Sequence, residues 1–305
     1  MYQLNTLFFK WLLFFYIGFL ITGCKNKTEE EKLADSHTTA IKPLSSVTLG
    51  SELNENSGSI VWNDTLWLQS DSSEPVLYGV DPLTGRVIKK KKIPGLKMQD
   101  WESVAQDEDY IYLGDFGNNS NYRKNLRIFR LEKEALEHGA VKLDTIKFRY
   151  EDQVDYSYNE VFQTDYDCES MLVNEDHIYL FTKQWISKGT AVYVMPKKPG
   201  DYNAEKISEY PVEGLITEAF KFPDEQTVIL TGYSNLMHPF FILLEGFDGN
   251  HFFSGKIRKI EVDLLFNQIE TICQMHAYKC YVTSEKFLYR DPELHVYDFE
   301  SYISN

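Results

Sequence analysis

The chain repeats one pattern five times, and this limits its fold more than any other feature. Residues 100–116 read DWESVAQDEDYIYLGDF, and residues 167–183 read DCESMLVNEDHIYLFTK. Both have an Asp-x-Glu-Ser opening, an apolar pair, an acidic turn and an Ile-Tyr-Leu run. Looser copies are NSGSIVWNDTLWLQSDS (56–72), TEAFKFPDEQTVILTGY (217–233) and IETICQMHAYKCYVTSE (269–285). Aligned, the five units give a column of Ser57, Glu102, Glu169, Glu218 and Glu270, each followed by a small residue and then an apolar strand. A second strand begins nine or ten residues on, at Leu66, Ile111, Ile178, Val228 and Cys280.

The column positions are 45, 67, 49 and 52 residues apart. Four strands with their turns need about 40–50 residues, which is the period of a propeller blade. Third-strand runs follow at 76–81, 125–131, 190–195, 240–246 and 293–299, but fourth-strand runs follow only the first four of them. The missing strand is supplied by a spare one at the other end, TAIKPLSSVTL (39–49). Ring closure by the N-terminus removes the open edges that invite aggregation. The expected fold is therefore all-β: a single domain over 39–305, a five-bladed β-propeller closed by its N-terminal strand, with six blades as the alternative count. A sandwich of about 20 strands would leave the repeat unexplained. Aromatic residues make up 15% of the chain, which also favours strands. EKEALEHG (132–139) is the one expected short helix.

Residues 1–24 read as a leader. One Lys precedes an apolar run from Trp11 to Ile21, short for a membrane span and suited to the core of a secretory signal. Ile21-Thr22-Gly23-Cys24 resembles a bacterial lipobox, in which Cys24 is acylated, by palmitate for example, and becomes the first residue. A lipid there would hold the protein at a membrane without spanning it. Residues 25–38 are polar and charged and read as a disordered acidic tether. The expected location is the bacterial cell envelope, lipid-anchored at the outer membrane on its periplasmic or its outer side. Cys273 and Cys280 flank a hairpin turn, so either a disulfide or two buried thiols is expected there.

In a propeller the first strands line a central channel and run the same way, so the column becomes a ring at one mouth. Converging carboxylates must bind a cation, share protons or stay hydrated. Calcium, with six to eight oxygen ligands, suits Glu102, Glu169, Glu218, Glu270 and Ser57. Inter-blade hydrogen bonding is the plainer use of the same residues. Second strands end at the same mouth, so Trp101, Asp115, Asn118, Lys183, Trp185, Tyr233 and Glu285 are expected on a ligand-binding face. The net charge of −15 disfavours nucleic acid as a partner.

The Glu-small-apolar column, carried by Ser57-Gly58, Glu102-Ser103, Glu169-Ser170, Glu218-Ala219 and Glu270-Thr271, resembles that of the SdiA-regulated family of exported bacterial β-propellers. It is also similar to the propellers described as having esterase-like activity of phytase. The resemblance covers residues from about 39 to the end. It implies five blades, an exported setting and calcium in the channel; it implies no catalytic residue.

Two functions follow as expectations. The first is a monomeric, membrane-anchored binding or scaffold module for an unidentified ligand or protein. The second is a metal-dependent hydrolase of phosphate esters or glycans, working through the glutamates and Asp115. The sequence has no Gly-x-Ser-x-Gly, His-Glu-x-x-His or phosphate-binding loop. Lys183 and Arg123 are few cations for holding phosphate groups, and this favours the first.

Overall fold

A computed structural model describes residues 40–303 apart from 72, 73, 175 and 225. The leader, Cys24 and the tether lie outside the described residues. The described chain is all-β, with one short α-helix, α1 (Lys133–Glu137), as expected, and two single 3-10 turns at Ser51–Leu53 and Glu300–Tyr302.

Strand β1 (Ser45–Thr48) pairs with the last strand, β20 (Glu293–Asp298), which continues through β19 (Lys279–Ser284) to β18 (Ile269–His276). Two further four-stranded meanders stand alone. One contains β2 (Asn56–Trp62), β3 (Thr65–Ser70), β4 (Val76–Asp81) and β5 (Arg86–Lys92). The other contains β14 (Leu215–Lys221), β15 (Thr227–Tyr233), β16 (Pro239–Glu245) and β17 (Lys256–Glu261). The remaining eight strands form one sheet built from two meanders. These are β6 (Trp101–Gln106), β7 (Tyr110–Asp115), β8 (Leu126–Glu132) and β9 (Leu143–Tyr150), then β10 (Asp167–Val173), β11 (His177–Lys183), β12 (Thr190–Pro196) and β13 (Gly200–Tyr210). They fuse where β13 pairs in parallel with β9 from Gly200↔Ile146 to Ala204↔Tyr150.

The first strands contact one another in a circle: β2 with β6, β6 with β10, β10 with β14, β14 with β18, and β18 with β2. Five apolar cores fill the gaps between successive meanders, because each strand alternates its side chains between two neighbours. Tyr112 and Phe116 meet Met171 and Tyr193 between the second and third repeats. Leu66 and Leu68 meet Cys273 and Leu294 where the last repeat returns to the first.

Closure uses less of the N-terminus than 39–49. Pro43 lacks an N–H to donate to a ladder. The strand therefore starts at Ser45, while Ile41 makes a lone parallel bridge to Val262. Of the two arrangements open for the turn cysteines, the structure has the second: Cys273 and Cys280 are free, buried thiols. Cys273 pairs with Tyr281 and Cys280 with Gln274, so the two point to opposite sides of the sheet. Cys273 packs against the first repeat and Cys280 against the fourth.

Candidate functional site

Each first strand opens with a β-bulge. The ladder skips Ser57, Glu102, Glu169, Thr217 and Glu270 against their partner strands. A bulge re-aims one side chain and leaves that residue unpaired. The sequence column was therefore one residue off in the fourth repeat: Thr217, not Glu218, is the equivalent of Glu102. The hydroxyls show it. Ser57 Oγ donates to the carbonyl of Trp101 in the next repeat at 2.8 Å, and Thr217 Oγ1 donates to the carbonyl of Ile269 in its next repeat at 2.8 Å.

Glu218 instead lies one position along its strand, in register with Ser103, Ser170 and Thr271. Its carboxylate accepts from Ser103 Oγ at 3.2 Å and from the Ala219 N–H at 3.1 Å. Burial pushes its pKa well up, against these hydrogen bonds. The ring at the mouth thus holds three glutamates and two hydroxyls.

The three glutamates have different surroundings. Glu169 is paired with Lys183, Oε1 to Nζ 3.2 Å, with both side chains at most a tenth exposed. Lys183 also sits over the rings of Trp185 (5.0 Å) and Tyr233 (5.4 Å). Burial alone would lower the Lys183 pKa; Glu169, Tyr233 and Glu270 hold it well above its ordinary value. Glu270 is bonded by Gln268 Nε2 at 3.3 Å, and the same amide reaches Glu285 at 3.4 Å.

Glu102 has no such cation beside it. Burial, then Glu169, Asp100, Asp167 and Asp71, push its pKa well up. Its carboxylate meets that of Asp100 over Gly117, where a Cβ would fall 2.3 Å from Glu102 Oε1 and 2.5 Å from Asp100 Oδ2. Burial raises Asp100 as well, with Arg123 opposing. Asp167 is raised by burial to about 6, against bonds from the Asn118 N–H and the Trp185 indole.

Several residues expected on a ligand face are structural. Asp115 is fully buried between Arg123 Nη2 (2.9 Å) and Arg127 Nε (2.8 Å), and it also accepts the N–H groups of Gln99 and Asp100. Its acceptor sites are filled, as buried carboxylates require. Asn118 is buried in a loop-bracing network with Tyr166 and Arg123. Trp101 is 1% exposed in the core between the first two repeats. Lys183, Tyr233, Trp185 and Glu285 do gather at the mouth. Asp100, Asp167 and Gln268 join the site without having been expected there, although the Asp-x-Glu spacing repeated in DWES and DCES is a usable signal for the two aspartates.

The four glutamates expected around one calcium have different surroundings. Glu218 sits apart, Glu169 has an ammonium partner, and among the described residues no three His, Cys, Asp or Glu side chains converge to hold a metal. The Asp100 and Glu102 carboxylates come together over Gly117, in the space that a Cβ would fill.

No protein-family model matches the chain, and no curated protein matches it. The chain is similar to the crystal structure of Raptor from Chaetomium thermophilum, at 12% identity and a TM-score of 0.36, over 88% of this chain. It spans about a fifth of that structure's chain (19%).

Proposed function

We propose that this chain is a five-bladed β-propeller, held at a membrane by a lipid on Cys24, whose glutamate face docks a protein partner. Five meanders, a circle of first-strand contacts and a bulge in the same place in every repeat support the blade count. Calcium belongs to the proposal at Asp100 and Glu102, where it would relieve the repulsion of two touching carboxylates and brace the mouth.

The observation that carries the binding reading is where exposed apolar side chains lie. Tyr122, Tyr158, Phe162, Leu236, Leu288 and Tyr289 are between 45% and 82% exposed. All stand in loops that leave the ends of second strands or precede first strands, the edge at which the glutamates sit. Single exposed apolar residues are ordinary, but their collection on one face marks a contact surface. The buried carboxylates, by contrast, are tied to Lys183, Gln268, Ser103 and one another.

Photo-crosslinkers placed at Tyr158 and at Leu288 test this in the source cells, with Leu83 at the opposite end as control. A discrete adduct from the first two positions and none from Leu83 is the expected result. Equal labelling from all three defeats the docking reading. Turnover of a phosphate ester that needs calcium and disappears in Glu102→Gln would replace it with the hydrolase.

A further inference from the structure

The central cavity opens at the end opposite the glutamates. It has a volume of about 430 Å³ and is lined by equivalent positions of all five first strands, among them Ile60, Ala105, Leu172, Phe220 and Cys273, with Met275 at the rim. Aliphatic side chains such as Ile60, Leu172 and Val173 share the walls with Phe220, Cys273 and the polar Ser59, Gln106 and Gln274, so that the lining is about as polar as it is apolar. Ligand pockets combine apolar walls with polar groups that fix orientation, and both kinds of group are present here.

Two charged side chains line it. Glu218 forms the inner end, and its carboxyl is turned to Ser103 and the Ala219 N–H. Lys221 stands at the open end, half-buried, with no hydrogen bond or ion pair to another described residue. In a chain of net charge −15, an unpaired ammonium beside an apolar opening is an unusual combination. A cavity of roughly 150 Å³ admits benzene. In proportion, 430 Å³ takes about 17 heavy atoms.

We propose that this cavity binds a small amphiphilic anion, its apolar body inside the channel and its carboxylate or similar head at Lys221. The site is independent of the glutamate face and lies at the other mouth. Its contents are selected by two separable features, apolar volume and one positive charge.

Titration calorimetry of the full chain with decanoate and with decanol separates them. One decanoate per chain is expected. Lys221→Gln should weaken decanoate at least tenfold and change decanol less than twofold. Met275→Trp, placed at an exposed rim position so that the fold is kept, should abolish both; melting curves confirm that each variant is folded. The proposal is overturned if decanoate does not bind up to its solubility. It is equally overturned if Lys221→Gln leaves decanoate affinity unchanged, or if Met275→Trp binds decanoate as the parent does.

Discussion

Acid should loosen the closing strand through one histidine. His295 lies in β20, fully buried, with Nδ1 2.8 Å from the hydroxyl of Ser46 in β1. Its Nε2 is buried without a hydrogen-bond partner. A second ring proton would therefore have nowhere to bond, and Arg290 adds repulsion. Burial first, then Arg290, depress the imidazole to about 4 from an ordinary 6.5. A depressed histidine favours the neutral form in the folded state, so its stabilisation is complete above pH 6.5 and is lost as pH falls towards 4. At about 1.4 kcal/mol per pKa unit, the loss amounts to about 3 kcal/mol. For a domain of this size that is about 6–12 °C in Tm. Glu102 and Glu218, whose pKa values burial raises, have the opposite sign: their contribution is present at low pH and fades as pH rises. The test is therefore a difference. Melting curves of the parent and of His295→Gln at pH 7 and pH 4.5 should show the parent losing several degrees more than the variant. Equal losses would refute the reasoning, since the imidazole would then not be the group that acid charges.

Two other consequences can be checked on the purified protein. Glu169→Gln and Lys183→Met should each destabilise by about 3–5 kcal/mol, because each strands a buried charge, while the double variant should cost less than their sum; chemical denaturation of the three proteins gives the coupling. Alkylation under denaturing, non-reducing conditions should label Cys168, Cys273 and Cys280 completely, and a mass two units low with two sites unlabelled would contradict the opposite-face placement of Cys273 and Cys280.

The period of the repeat exposed the strand count, the meander order and the use of the N-terminus to complete the last sheet, because each of these is written in local apolar runs and turns. The second strands begin at Thr65, Tyr110, His177, Thr227 and Lys279, one residue ahead of the positions read from the sequence. What was hidden is non-local. A bulge shifts register by one residue, and nothing in TEAF says whether Thr217 or Glu218 is the skipped one; the carbonyl of Ile269, 52 residues on, decides it. The saturation of Asp115 was equally invisible, since Arg123 and Arg127 reach it from a loop and a neighbouring strand. Cys273 and Cys280 flank a turn, but only the irregular register between Gln274 and His276 reveals that they face apart.

The central claim is that the carboxylates of the glutamate face have separate counterparts, with Asp100 and Glu102 as the pair open to a cation. The direct measurement is metal content together with melting in calcium and in EDTA, for the parent, Glu102→Gln and Glu218→Gln. The account predicts about one calcium per chain in the parent and in Glu218→Gln, with Tm lowered by EDTA, and neither effect in Glu102→Gln. No calcium and no EDTA effect in the parent would contradict it, leaving Asp100 and Glu102 joined by a shared proton; loss of the metal in Glu218→Gln would return Glu218 to a single ring with the other glutamates, against the bulge at Thr217.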